Sequence, residues 1–206
     1  MKKGAIRNLI CGMLFVVIIV IALFSNHKAD METCTNYKCD VKNLKLSTTI
    51  NISKEDENFA KVKGNILKFI TDPLTMYDLS EKKIAYAGDA YHFIAQDSHS
   101  IYADNEEPLE MVGLFKLFGE AYDIYDANQN KIAKVTFNYF NTNGEMYDME
   151  GNLIADYNSN FFFNDFDVRI SEECSIDEKA VLMIFCSYYS DQAADEKASS
   201  NSNSDW

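Results

Sequence analysis

The chain has 206 residues, of which 47% are apolar, with only eight glycines and two prolines. This composition supports one substantial hydrophobic core and excludes fibrous and low-complexity proteins. All 32 acidic residues lie after position 29, where they face 15 basic residues and give that part of the chain a formal charge of −17. Because so acidic a body repels polyanions, we expect no nucleic-acid partner.

The first thirty residues predict a membrane segment. Residues 1–8 contain Lys2, Lys3 and Arg7, and residues 9–24 are apolar and free of charge. The apolar run exceeds most signal-peptide cores of about 7–15 residues but is shorter than a spanning helix of about 20. A cleaved signal peptide therefore remains an alternative to an uncleaved anchor.

The flanks of this run favour a single-pass anchor. Leu23-Phe24-Ser25 is a poor cleavage site, since signal peptidase prefers small residues just before the cut. Basic residues precede the run, and only Lys28 follows it closely. The positive-inside rule therefore predicts a cytoplasmic N-terminus, a membrane-bound protein and an extracytoplasmic domain.

Residues 25–59 are polar and irregular, which predicts a stalk with at most a short strand around Leu44–Ile52. Cys34 and Cys39 lie in this stalk, and Cys174 and Cys186 lie near the C-terminus. The expected compartment permits disulfides. Cys34 and Cys39 form a small stapled loop, a redox pair or two ordinary thiols, and no second Cys or His pair follows them to complete a zinc site. The sequence leaves the disulfide state of all four open.

A phrase that occurs three times predicts a repeated β-hairpin. Tyr-Asp is followed by Ile-Ala in Tyr77-Asp78…Ile84-Ala85, Tyr125-Asp126…Ile132-Ala133 and Tyr147-Asp148…Ile154-Ala155. In each copy an apolar residue and a tyrosine end one strand, the Asp opens a polar turn, and Ile-Ala begins the returning strand.

Other short aromatic or alternating runs bring the number of predicted strands to about twelve. The runs are Val62–Ile70, Thr75–Leu79, Lys83–Tyr86, Tyr91–Gln96, Ser100–Tyr102, Leu114–Phe118, Ala121–Tyr125, Lys131–Phe137, Gly144–Met149, Leu153–Tyr157, Phe161–Phe163 and Asp167–Ile170. Turns separate them with little room for crossover helices, so the sheet is expected to be antiparallel. Open edges are a liability, and so many strands tend to close or form a sandwich.

One segment near the C-terminus predicts a helix. Ser175 and Glu178 have the spacing of a capping box, and the chain that follows, through Tyr189, is apolar on every face in its middle. Such a helix must be buried all round. The alternative is a central strand, because a short apolar run has no diagnostic period. Residues 191–206 are rich in Ala, Ser, Asn, Asp and Glu, which predicts a disordered acidic tail.

The order of these phrases resembles the tubby C-terminal-like superfamily, in particular the LURP-one-related proteins, whose cousins are the phospholipid scramblases. The resemblance rests on Ile124–Val135, Met146–Ala155 and the helix Asp177–Tyr189, and it covers roughly Ala60 to Ala194. It implies a mainly β domain over residues 60–190, in which a closed antiparallel barrel of about 12 strands surrounds the apolar helix.

Tubby proteins resemble phosphoinositide-binding membrane tethers, and scramblases are associated with lipid movement. A phosphoinositide pocket needs clustered lysines and arginines. Here the candidates are Lys82-Lys83 and the pair Lys131/Lys134, which we interpret as solvated hairpin residues. Recognition of a lipid headgroup is therefore not carried over from the family.

Four motifs could carry other chemistry, and each is better explained by structure. His92 and His99 would need an aligned nucleophile for a hydrolase. The turn from Asp126 lacks the Gly and the closing Glu of a calcium loop. Asp165 and Asp167 would lie on one strand face as separate surface groups. The rings of Phe161–Phe163 could form a binding ridge but are expected to help fill the barrel.

We therefore expect no catalytic, cofactor-binding or metal-binding residues. The expected function is that of a non-enzymatic, membrane-anchored, extracytoplasmic binding or scaffold domain. The alternative is a lipid-binding or lipid-handling protein that resembles phospholipid scramblases. The expected partners are the membrane, through residues 9–24, and an unidentified protein or lipid.

Overall fold

A computed structural model describes residues 31–43, 47–65, 74–89, 98–104, 106–114, 119–159 and 165–202. These residues form twelve strands followed by one helix. The strands are β1 (Cys34–Asn43), β2 (Ser47–Lys54), β3 (Glu57–Asn65), β4 (Leu74–Tyr77), β5 (Lys83–Asp89), β6 (Ser98–Ala103), β7 (Leu109–Leu114), β8 (Ala121–Tyr125), β9 (Lys131–Phe137), β10 (Asn143–Asp148), β11 (Leu153–Ser159) and β12 (Asp165–Ser171), and the helix is α1 (Glu178–Ser202).

The strands form a closed antiparallel barrel in which each strand pairs with its neighbours in sequence. β1 closes the barrel on β12, from Cys34 opposite Ser171 to Asp40 opposite Asp165. Closure pairs each of the twelve described strands on both sides, which removes the usual route to edge-to-edge aggregation. The predicted mainly β barrel of about 12 strands with a C-terminal helix is confirmed.

The predicted stalk over residues 25–59 is wrong from Cys34 onward, because β1, β2 and the start of β3 belong to the barrel wall. In β2, Thr48, Ile50 and Ile52 point inward and are buried, while polar residues alternate with them. Those outward residues lowered the apparent hydrophobicity of the segment and hid its two-residue period. The barrel domain therefore starts near residue 34 instead of residue 60.

The count of twelve strands includes β1 and β2, which were not predicted as barrel strands. The predicted strands Tyr91–Gln96 and Phe161–Phe163 lie outside the described residues. The strand predicted at Leu114–Phe118 is displaced, since β7 covers Leu109–Leu114 and residues 115–118 are not described.

The repeated phrase forms three hairpins of the same design, β4–β5, β8–β9 and β10–β11. Each has a register shift just before its tyrosine, at Met76/Tyr77, Ile124/Tyr125 and Met146/Tyr147. The carboxylates of Asp78, Asp126 and Asp148 accept hydrogen bonds from the backbone N–H four residues on, at 2.9, 2.8 and 2.7 Å. Hydrogen bonds from side chains (Ser80, Asn130, Asn152) and from backbone N–H groups lower the pKa of all three carboxyls.

Helix α1 begins one residue after its cap, Asp177. The Asp177 carboxylate accepts a hydrogen bond from the Lys179 N–H at 2.8 Å, and the Asp177 carbonyl accepts one from the Val181 N–H at 3.1 Å. The predicted Ser175 capping box is therefore wrong, because Asp177 performs the same chemistry two residues later.

The helix continues to Ser202, so the disordered tail predicted from residue 191 is wrong as far as residue 202. Residues 203–206 lie outside the described part. Once the buried turns are formed, each further residue adds a hydrogen bond without a new nucleation cost, and Ala, Glu and Lys favour that extension.

The first half of α1 fills the barrel. Every residue from Ala180 to Tyr189 is buried. On one side the helix lies close to β5 and β6, whose inward residues include Ala85, Ala87 and Ala103. On the other side aromatic rings fill the wider gap, with pairs at Phe137–Tyr188, Tyr157–Phe185 and Phe166–Tyr189. The helix therefore lies off the barrel axis, and residue size on the two walls sets its position.

Polar contacts hold α1 at both ends of the barrel. At the end where the helix enters, called the entry end, Glu178 accepts hydrogen bonds from Tyr37 Oη and from Lys54 Nζ, the latter at 2.8 Å. At the opposite end, called the exit end, Asp191 lies 2.7 Å from His99 Nε2, and Gln192 donates to Glu120 at 2.9 Å. These contacts prevent the helix from sliding along its own axis, a movement that apolar packing alone resists only weakly.

The four described cysteines are free thiols, and Cys39 and Cys186 are fully buried. The stapled loop between Cys34 and Cys39 is excluded. The two residues are five positions apart on β1, so their side chains point to opposite faces and their Cα atoms are about 16 Å apart.

No helix in the described ranges has the combination of length and apolarity needed to cross a bilayer. The anchor predicted at residues 9–24 lies outside those ranges, so it stays a prediction.

We expect Leu182→Asp to prevent folding of the domain. Leu182 is 0% exposed inside the barrel, so the new carboxylate would lack both water and a partner, at a cost of several kcal/mol against a typical stability of about 5–15 kcal/mol. Circular dichroism and thermal unfolding measure the loss. Leu79→Asp is the matched control, because Leu79 is 70% exposed. Equal melting temperatures for the two variants would refute the enclosed helix.

We expect Cys39 and Cys186 to resist alkylation in the folded protein, whereas Cys34 reacts readily. Burial raises the pKa of Cys186 to about 12 and that of Cys39 well above its usual value, so neither forms a reactive thiolate at neutral pH. Pulsed iodoacetamide followed by peptide mass spectrometry reads each site, with Cys34 as the internal control. Labelling of Cys39 as fast as Cys34 without denaturant contradicts this packing.

We expect Glu178→Gln to destabilise the domain at neutral pH but not in acid. Burial raises the pKa of Glu178, but hydrogen bonds from Lys54 and Tyr37 more than offset this, so the pKa lies below its ordinary value of 4.5. A lowered folded-state pKa contributes stability above the unfolded value, and that stability is lost as pH falls through the folded value. Solvent partly screens the ion pair between Glu178 and Lys54. We therefore expect Glu178→Gln to lower the free energy of unfolding at neutral pH by about 1 kcal/mol.

Urea unfolding of both proteins between neutral pH and about pH 3 measures this difference. The exposed Glu173→Gln serves as the control at the same end of the barrel. A stability difference that persists unchanged below pH 4.5 would contradict the assigned role of the Glu178 carboxylate.

Candidate functional site

A cavity of about 170 Å³ lies at the entry end, between α1 and the wall. Its lining combines apolar residues with polar and acidic ones. The apolar residues are Ile101, Ala103, Leu109, Ile132, Ile176 and Ala180, and the others are Glu106, Glu107, Ser175 and Asp177. We call the apolar set the floor, and Glu106 and Glu107 the lip.

The floor follows from strand alternation and residue size. Ile101 and Ala103 are both buried and lie two positions apart on β6, so both point into the barrel. Ala103 and Ala180 both line the cavity, and both are small. Larger side chains at these two positions would fill the space, so the cavity exists because both positions carry alanine.

The lip comes from the turn between β6 and β7. The Glu106 N–H donates to the Ala103 carbonyl at 2.8 Å, which closes a tight turn directly beside the floor. Glu106 and Glu107 are both exposed. Among the described residues, neither carboxylate has an ion-pair partner.

Lys179 lies beside the cavity and is already neutralised by two other acids. Its ammonium lies 3.2 Å from Asp104 Oδ2 and 3.5 Å from Asp177 Oδ2. Burial lowers the pKa of Lys179, but attraction to Asp177 and Asp104 outweighs burial and raises the pKa overall. The electrostatic field at this end of the barrel therefore stabilises positive charge.

The cavity is suited to binding a ligand with an apolar part and a cationic end. Its volume is below the roughly 300–1,000 Å³ of pockets for drug-sized ligands, so it takes a group of about one side chain in size. An apolar floor with a few polar groups at the margin is the usual composition of a binding pocket.

The histidines considered for hydrolysis are not brought together with this cavity. His99 lies at the exit end and is paired with Asp191 of α1, so the described contact ties the helix to β6. His92 lies outside the described residues.

The other motifs have structural roles where they are described. Asp126 accepts hydrogen bonds from the backbone of its own turn, at 2.9 Å from the Asn128 N–H and 2.8 Å from the Asn130 N–H. Asp165 and Asp167 are exposed on one face of β12, as predicted. Phe161–Phe163 lie outside the described residues. Within the described ranges, no group of three or more His, Cys, Asp or Glu side chains is placed to hold a metal ion.

The basic pairs weighed as anionic-lipid sites are also engaged in part. Lys83 Nζ lies 3.6 Å from the centre of the Tyr86 ring, and Lys131 Nζ lies 2.6 Å from Asp123 Oδ1. Lys134 is exposed on β9. These contacts favour the interpretation that the lysines are hairpin surface residues.

Sequence reasoning missed the lip. Glu106-Glu107 followed by Pro108 is a short acidic turn, and nothing in it indicates that the floor lies behind it. The cavity depends on residues from β6, the β6–β7 turn, β7, β9, the segment before α1 and the first turn of α1. These residues are up to 79 positions apart, from Ile101 to Ala180.

Comparison with protein-family models, with curated proteins and with solved structures finds no match to this chain.

Proposed function

We propose that this protein is a non-enzymatic binding domain, held at a membrane by residues 9–24 and exposed outside the cytoplasm. The observation that carries the proposal is the entry-end cavity beside the helix that occupies the barrel. α1 occupies the lumen with buried side chains from Ala180 to Tyr189, so this part of the barrel is a well-packed support. A rigid support with a small cavity at its rim is suited to recognition.

The charge distribution supports a protein or small-molecule partner over a lipid surface. The six entry-end turns 55–56, 78–82, 104–107, 126–130, 148–152 and 172–177 contain thirteen acidic residues and one basic residue, Lys82. Such a surface is repelled by anionic headgroups. This argument favours the binding domain over the lipid-handling alternative.

Membership of the tubby-like superfamily is part of the proposal. The repeated Asp hairpins and a terminal helix enclosed by twelve strands are what that resemblance implies, and they support it. The membrane anchor and its orientation rest on the uncharged run at residues 9–24 and on the basic residues before it.

Flotation with lipid vesicles tests the proposal. We expect the full chain to float with phosphatidylcholine–phosphatidylglycerol vesicles and to retain residues before Ser25 by mass spectrometry. We expect residues 31–206, which form a compact unit, to remain in the dense fraction with an unchanged cooperative melting transition. A folded 31–206 that floats would establish lipid handling in place of the proposed function.

A further inference from the structure

We propose that the entry-end cavity binds one lysine side chain of a partner protein, with its aliphatic stem on the floor and its ammonium beside Glu106 and Glu107. This inference rests on the proposed binding function and names the ligand class. It goes beyond the resemblance, from which no ligand is carried over.

The size and polarity of the cavity select this ligand. A lysine side chain has a four-carbon apolar stem and a compact terminal charge. The floor matches the stem, and a volume of about 170 Å³ admits a group of that size. The two lip carboxylates are without ion-pair partners among the described residues, so they are available to a cation that enters from outside.

The neighbouring Lys179 shows what this environment does to an ammonium group. It lies between Asp104 and Asp177 at 3.2 and 3.5 Å and makes the same kind of contact that the proposal assigns to the ligand. Lys179 neutralises Asp104 and Asp177, whereas Glu106 and Glu107 have no ion-pair partner among the described residues. These two carboxylates can therefore pair with one further cation.

The surroundings favour a lysine on a protein over a free amine. Carboxylates occur in all six entry-end turns described above, well beyond the reach of one small amine. A polypeptide with a basic surface can satisfy several of them at once and is steered toward this end of the barrel. Charge complementarity therefore identifies a basic protein segment as the occupant.

The test measures binding of a fluorescent peptide to the full chain in nonionic detergent. The peptide carries one lysine and no other charge. A norleucine analogue keeps the stem without the charge, an arginine analogue changes the shape of the cation, and n-butylamine is the free-amine competitor. We expect saturable binding of the lysine peptide, weaker binding of the other two peptides, and loss of affinity as salt is raised.

Two double variants that remove the same amount of negative charge distinguish a local effect of the cavity on peptide affinity from the effect of the overall acidic charge. We expect Glu106→Gln with Glu107→Gln to weaken binding by about tenfold. Glu32→Gln with Glu57→Gln, which changes exposed residues beside β1 and β3, is expected to stay within about twofold. Ala103→Leu should fill the floor and abolish binding, and its melting curve shows whether it folds.

Several results would overturn the proposal. Equal losses in the two double variants would assign the effect to the general field. If the norleucine peptide bound as tightly as the lysine peptide, the site would recognise only apolar groups. If the arginine peptide bound more tightly, the ligand would be an arginine side chain. If n-butylamine bound with the same affinity as the lysine peptide, the ligand would be a free amine. Absence of any binding would reject the lysine site. None of these outcomes makes residues 31–206 float, so the proposed function is judged separately.

Discussion

A helix that is apolar on every face cannot be stable at a surface, and the structure depends on this constraint. From Ala180 to Tyr189 each side chain of α1 must be removed from water, and each is buried. A sheet can provide burial on all sides only by closing around the helix. A closed barrel of twelve strands, in turn, needs a filling larger than its own side chains. The wall and the helix are therefore stable only together.

The position of the helix within the barrel follows from residue size and from a few polar contacts. Alanines on β5 and β6 let the helix come close on one side, and the rings of Phe137, Tyr157 and Phe166 fill the other side. The hydrogen bonds of Glu178 at one end and of Asp191 at the other fix the position of the helix along its axis. The cavity is a consequence of the same design, because the alanines that admit the helix also leave space beside its first turn.

Much of the fold could be predicted because its signals are local. The Asp of each hairpin hydrogen-bonds to its own turn, and the helix shows its burial by composition alone. β1 and β2 were missed because half of their side chains face water and are polar. The cap was misplaced because Ser175 and Asp177 are both good capping residues, and sequence alone does not choose between them. The cavity is not local, since it forms only after distant segments meet.

The barrel domain includes the chain from β1 onward. β1 begins at Cys34, so residues 34–59 belong to the barrel wall and not to a stalk. β1 also closes the barrel against β12, so the N-terminal part of the domain is required for the enclosure of α1. Deletion of β1 would open the barrel.

Native-state hydrogen exchange tests the enclosed helix most directly. If the closed wall and α1 form one cooperative unit, the amides of residues 181–189 exchange only by global unfolding, with the same free energy as the amides that join β1 to β12. Exchange of the helix amides at a much lower free energy, while the strand amides stay protected, would show that the helix leaves an intact barrel. That result would contradict the account.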